Sequence, residues 1–189
     1  KQNSENKEQT KKTTKNSNKT NIHKDFSKLK ATNSDTVGWL TVPGTEINLP
    51  FVKGEDNSYY LTHSFDKSYN PAGWIFLDYR CDLDNLRRNT IIYGHNRLDN
   101  TLFGSLANNL NNNWYSNKEN RVIRIVTENK SYVWQIFSTY QIAKDEEYLD
   151  VYFTNIDSYK EYIQNAINRS TYNFDTQVLE NDNLLTLST

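Results

Sequence analysis

Polar and apolar positions divide the chain into a featureless start and a patterned remainder. Residues 1–20 carry no apolar side chain and include six lysines. Such a segment buries nothing that would offset its conformational entropy, so residues 1–21 read as a disordered polar linker or stalk. From Ile22 the pattern changes. Ile22, Phe26 and Leu29 lie at i, i+4 and i+7, one stripe of a short helix. Residues 36–42 and 47–52 read as strands around a Pro43-Gly44 turn. Residues 57–61 suggest one helical turn, 73–77 a buried strand and 81–88 a polar loop. Residues 90–93 form a further β-rich run that ends at Gly94-His95-Asn96.

In the second half, Leu102, Phe103, Leu106, Ala107 and Leu110 have helical spacing, with Asn100 or Thr101 as cap and Asn111-Asn112-Asn113 as terminator. Residues 121–127 and 131–139 read as strands. Tyr159, Tyr162, Ile163, Ala166 and Ile167 give a helix stripe behind a Ser158/Glu161 capping box, and residues 184–189 form a last strand. About seven short strands with two or three helices point to a mostly β fold, an antiparallel barrel or sandwich decorated by helices.

Composition removes several function classes. Lys and Arg total 22 against 23 Asp and Glu, which argues against a nucleic-acid binder. A single cysteine, Cys81, excludes an internal disulfide and a multi-cysteine zinc site. No stretch approaches the roughly 20 apolar residues of a membrane span. The chain begins with Lys1 and contains no methionine. It therefore reads as a processed or cut form, with any signal peptide or membrane anchor before Lys1 out of view.

Few residues could carry chemistry. His23 lies at the edge of the polar tail, and His63 follows an aromatic cluster. His95 ends an apolar run behind a glycine, at a strand end opening onto a loop, where a catalytic side chain is well placed. On spacing alone a structural histidine is the favoured reading. Cys81 sits in a polar loop between Arg80 and Asp82, whose opposed effects define no thiolate site. Asp78 and Arg80 could serve as base and oxyanion donor, or pair with each other. Asp145, Glu146 and Glu147 read as a solvated patch. No glycine-rich phosphate loop, HExxH or calcium loop is present, and no cofactor is implied.

One resemblance organises these observations. Asn89-Thr90-Ile91-Ile92-Tyr93-Gly94-His95-Asn96 and Thr186-Leu187-Ser188-Thr189 are similar to segments of the sortases, cysteine transpeptidases of Gram-positive surfaces. The similarity runs from about Trp39 to Thr189. It takes in Gly44-Thr45-Glu46-Ile47-Asn48, Asp56-Asn57-Ser58-Tyr59-Tyr60-Leu61, Ile75-Phe76-Leu77-Asp78-Tyr79-Arg80, Thr101-Leu102-Phe103 and Ile136-Phe137-Ser138. The helical segment at 159–167 resembles class B in particular.

The resemblance implies an eight-stranded β-barrel with an N-terminal helix and peripheral helices. Residues 22–189 would be the catalytic domain, its last strand absent from this chain. In the family the nucleophilic cysteine directly follows TLST and an arginine comes a few residues later; this chain stops at Thr189, one residue short. As written it is expected to be inactive. Cys81 does not substitute, since it follows the DYR block where class B members usually carry asparagine.

His95 carries over as the catalytic histidine. Asn57, Leu61, Tyr93, Tyr148, Leu149 and Ser188 match positions that line the signal pocket. The implied partners are a sorting-signal peptide (NPxTN- or NPxTG-like) and a peptidoglycan cross-bridge or lipid-linked precursor amine. The implied setting is a monomer on the outer face of the cell membrane, anchored through an N-terminal segment. The alternatives are a pilin-polymerising sortase, a non-catalytic binding module on the same barrel and, last, a Cys81–His95 hydrolase.

Overall fold

A computed structural model describes residues 24–143 and 146–189. The expected disorder of residues 1–21, Ile22 of the helix stripe, and His23 lie outside the described residues. Helix α1 (Phe26–Thr32) opens the fold, capped by the Asp25 carboxylate, which accepts from the Lys28 amide. Phe26 is buried and Leu29 half-buried, as a one-sided stripe requires.

Seven strands follow: β1 (Thr36–Thr41), β2 (Asn48–Val52), β3 (Phe76–Leu77), β4 (Asn89–Tyr93), β5 (Val122–Val126), β6 (Ser131–Gln135) and β7 (Leu184–Ser188). They form one sheet in the order β6-β5-β1-β2-β3-β4-β7, curled into a nearly closed barrel. Burial alternates along β1, while β4 is buried over four consecutive residues and so is covered on both faces. The hairpin between β1 and β2 turns at Gly44, whose φ of 73° and tight approach to the Trp114 ring both require glycine. Leu40, Phe51, Ile75, Ile91, Phe103 and Ile125 are fully buried and form the centre of the core.

The mostly β class holds, but the sheet is mixed rather than antiparallel. β2 pairs with β3, and β4 with β7, in parallel. The chain leaves β4 and returns to its side only after β5, β6 and a long helix, a non-local connection that strand spacing does not reveal. Three local expectations also change. Residues 102–110 do not form an α-helix capped at Asn100 or Thr101: Asn100 and Leu102 have positive φ, and a 3-10 run begins at Gly104. Asn111 is a beginning as well as an end, because its side chain caps α2 (Asn112–Ser116). Helix α3 (Ile156–Arg169) starts ahead of the expected Ser158/Glu161 box. Asn155 is its cap, and Ser158 reciprocates as the third helical residue.

Candidate active site

The candidate site is built where β4 and β7 end side by side. Their ladder pairs Asn89 with Leu184 through to Tyr93 with Ser188. It extends one rung further, the Gly94 amide donating to the Ser188 carbonyl at 3.1 Å. The ladder goes no further than Gly94, and His95 stands just past its end. Gly94 has no room for a side chain: a Cβ there would stand 2.7 Å from the Phe103 ring and 2.8 Å from Ile75.

His95 is half-buried and opens a cross-braced loop. Its carbonyl accepts from the Phe103 amide at 3.2 Å, and Asn96 bridges Leu102. Asp99 accepts from the Thr101 amide and hydroxyl and pairs with Arg97. Gly104 sits so close to the Arg97 carbonyl that a Cβ would lie 2.0 Å from its oxygen. The histidine is therefore presented by a short rigid strand end and a loop with little freedom.

Beside it, the chain leaving β3 buries a carboxylate. The Asp78 amide continues the ladder by donating to Ile91. Its side chain is fully buried and meets five donors. Oδ1 accepts from the Arg80 amide and Nε, both at 2.9 Å. Oδ2 accepts from Arg80 Nη2 at 2.7 Å, from Asn57 Nδ2 at 2.9 Å and from the Tyr93 hydroxyl at 2.9 Å. Burial works against ionisation, yet the Arg80 fork with Tyr93 and Asn57 holds the carboxyl below its ordinary range. The same contacts raise the Arg80 guanidinium, and burial with the neighbouring Asp78 charge raises the Tyr93 phenol.

The opposite wall is the 3-10 turn Glu146–Leu149 and the segment after it. Three consecutive carbonyls there are gripped by three different elements. Tyr148 O accepts from Tyr162 of α3 at 2.6 Å, Leu149 O from Arg80 at 3.0 Å, and Asp150 O from Asn89 of β4 at 2.9 Å. The Tyr148 hydroxyl meets the Ser188 hydroxyl at 3.2 Å.

Asn57, Tyr93 and the Leu149 carbonyl are thus joined by hydrogen bonds through Asp78 and Arg80, while Tyr148 and Ser188 bond to each other in a separate pair. Leu61 is 41% exposed, on the 3-10 turn Tyr59–Leu61 that follows Asn57. The ion-pair reading of Asp78 and Arg80 is the one the structure displays. Asn89 and Tyr162 escape the sequence reading. Their one signal is a polar residue at the head of a strand otherwise buried, since Asn89 is fully buried and also accepts from Thr186. Cys81 packs in the core, 1% exposed, its thiol directed weakly at the Asn89 carbonyl. Burial pushes that thiol up, so it is a poor thiolate. His63 stacks on Tyr59 with ring centres 4.0 Å apart. Asp145 and the side chains of Glu146 and Glu147 lie outside the described residues.

A cavity of about 450 Å³ opens between the two sheet edges, β6 and β7. Tyr148, Ser188 and Thr189 line one end of it. Its walls include Asn109, Trp134 and Thr139, each with a buried side-chain polar atom lacking a hydrogen-bond partner. Among the described residues no group of three or more His, Cys, Asp or Glu could hold a metal ion.

No family model matches the sequence. Sortase B of Staphylococcus aureus is 33% identical over 168 residues, 89% of this chain and 68% of that protein. Sortase B of Listeria monocytogenes is 34% identical over 172 residues, with the same shares covered. The solved Staphylococcus aureus sortase B–substrate complex matches with a TM-score of 0.81 and 33% identity, over 87% of this chain and 76% of that one. A crystal structure of sortase B complexed with triglycine gives the same values. Sequence similarity over most of both chains and a shared barrel agree: the chain belongs to the sortase B family of transpeptidases.

Proposed function

We propose that residues 22–189 are the catalytic domain of a cysteine transpeptidase in which His95 works with a cysteine that follows Thr189. The observation that carries this reading is the β4–β7 register. Tyr93 pairs with Ser188 and Gly94 bonds to Ser188, so a residue continuing β7 past Thr189 in the same register would fall opposite His95. A thiol there would share a proton with the imidazole without any rearrangement of the barrel. The unpaired edges of β6 and β7, and the orphaned polar atoms between them, favour an eighth strand leading back through the cavity with the family's arginine on it. Trp134 Nε1 would find a carbonyl on such a strand.

The chemistry follows from that pairing. The thiolate attacks the carbonyl carbon of the signal's threonine. A C–S bond forms, the peptide C–N bond breaks, and His95 as imidazolium gives its proton to the leaving amine. A second amine then attacks the thioester and yields a proton to His95. A new C–N bond forms as the C–S bond breaks, which restores the thiolate. The arginine would hold the developing oxyanion. Asn57, Leu61, Tyr93, Tyr148, Leu149 and Ser188 would bind the signal, with apolar walls for its proline and hydroxyl and amide groups for its polar positions.

The relatives' solved complexes, one with substrate and one with triglycine, support a peptide donor and an amine acceptor. For this protein the donor is an NPxTN- or NPxTG-like sorting signal. The acceptor is a peptidoglycan cross-bridge or precursor amine, at the surface of a Gram-positive cell. Among the described residues no helix is long and apolar enough to cross a membrane, and an N-terminal anchor is part of the proposal.

The test is direct. The gene read past Thr189 encodes Cys next and Arg within about ten residues. The protein extended through them cleaves a fluorogenic NPQTN-like peptide, and His95→Ala abolishes cleavage by at least about 10²-fold. Retained activity in His95→Ala would remove the histidine from the mechanism.

A further inference from the structure

We propose that Asp78 is the positioning residue that locks the two walls of the signal-binding region, Asn57 with Tyr93 and the segment at 148–150, into one unit, a role that rests on the signal-binding residues proposed above. One carboxylate oxygen, Oδ2, accepts from Asn57 and Tyr93 on one wall and from Arg80, which reaches the other. The far wall needs such a tie. The 3-10 turn Glu146–Leu149 has four residues, and no helix or strand is formed before α3 begins at Ile156. Val151 anchors the segment in the core, and the donors from Tyr162, Arg80 and Asn89 hold the three successive carbonyls before it.

Tyr162 and Asn89 project from regular elements. Arg80 does not; it lies in the turn after β3, and two of its guanidinium nitrogens, Nε and Nη2, are held by the Asp78 carboxylate. A planar fork bound along one edge by a carboxylate presents its remaining N–H in one direction, which a flexible ammonium could not do. Movement of Asp78 therefore displaces Asn57, Tyr93 and the Leu149 carbonyl together.

A buried ion pair is a weak source of stability against an apolar replacement. Its distinguishing value here is orientation, and a purely structural pair would alter the melt without altering how a folded molecule binds peptide. The experiment compares the full-length protein, wild type and Asp78→Asn, below the melting temperature of both. Backbone amide exchange over residues 148–152 is expected to accelerate about tenfold or more, and KM for an NPQTN-like peptide to rise about tenfold with kcat reduced less than about threefold.

Unchanged exchange over 148–152 in folded protein overturns the proposal. So does a kcat loss at constant KM. Arg80→Lys decides the matter if Asp78→Asn does not fold. Lysine keeps the charge beside Asp78 but cannot bind its carboxylate edge and the Leu149 carbonyl at once, so the same accelerated exchange is expected. If the wild-type protein cleaves no sorting peptide, the functional reading fails by itself, and the exchange measurement still decides whether Asp78 couples the walls.

Discussion

Gly94 and Ser188 are joined by the last rung of a parallel ladder, the glycine amide donating to the serine carbonyl at 3.1 Å. This bond is the furthest that β7 pairs along β4, and it lies one residue before His95. It exists because position 94 carries no side chain. Phe103, whose ring occupies the space a Cβ would need, also donates its amide to the His95 carbonyl.

Gly94→Ala should therefore disturb the histidine through packing rather than chemistry. The added methyl meets an aromatic ring and an isoleucine inside the core, and overpacking of that kind costs about 1–3 kcal/mol. Gly104→Ala should be the more severe, since the opposing atom is a backbone oxygen that cannot rotate away. Thermal unfolding of the two variants checks the order. A Gly104→Ala protein as stable as wild type would show that the loop does not brace His95.

The depressed carboxyl of Asp78 gives a pH dependence of stability with a definite sign. In the unfolded chain Asp78 titrates near the ordinary value of about 3.9, and in the folded protein lower. The folded state then binds the proton less readily, so the contribution is fully present above that ordinary value and is lost as pH falls through the folded one. Melting temperatures measured from pH 7 to pH 3 should fall at the acid end, and less steeply in Asp78→Asn. Asp35, paired with Lys67 and Tyr60, is lowered too and sustains part of the slope in that variant. Parallel curves for the two proteins would mean that the Arg80 fork does not favour the charged carboxylate.

Much of this fold is legible along the chain because burial imposes a period. The apolar run of β4 and most of the stripe of α3 appear as their spacing predicts, with Tyr159, Ile163 and Ala166 buried and Ile167 left exposed. Direction is not legible in the same way. β4 and β7 pair in parallel across more than ninety residues, and nothing in either segment distinguishes that from an antiparallel hairpin partner. The loop after His95 defeats the helix rule for a different reason: Leu102 fits an apolar stripe but is held at positive φ by the bridge from Asn96. Of the candidate site, His95 is visible as a strand-end histidine. The grip of Asn89 and Tyr162 on the Asp150 and Tyr148 carbonyls has no signal beyond the polar Asn89 at the head of β4, because backbone acceptors leave no mark in the sequence.

Cys81 should behave as a core residue. Its thiol is 1% exposed and raised by burial, with only the Asn89 carbonyl as a distant acceptor. Native protein is expected to react with a water-soluble disulfide reagent at pH 8 at least about 10²-fold more slowly than unfolded protein. Cys81→Ala should cost about 1–3 kcal/mol as lost packing and leave kcat/KM of the full-length protein within about twofold. A large loss of turnover in a folded Cys81→Ala variant would instead favour the hydrolase reading.

The cavity between β6 and β7 makes the last prediction. Trp134 Nε1 and Thr139 Oγ1 are buried without partners and line this cavity between the open edges of β6 and β7, an arrangement that a neighbouring strand would complete. A polypeptide ending at Thr189 should melt lower than one continuing through the residues proposed to follow it. Pairing two sheet edges and covering apolar wall is worth several kcal/mol, which corresponds to about 5 °C or more at this chain length. Indole burial should shift the Trp134 emission to the blue in the longer chain, read against Trp134→Phe to isolate it from the other tryptophans. Equal melting temperatures and identical spectra would mean that the added residues do not enter the cavity, and the barrel would then close by some means other than an eighth strand.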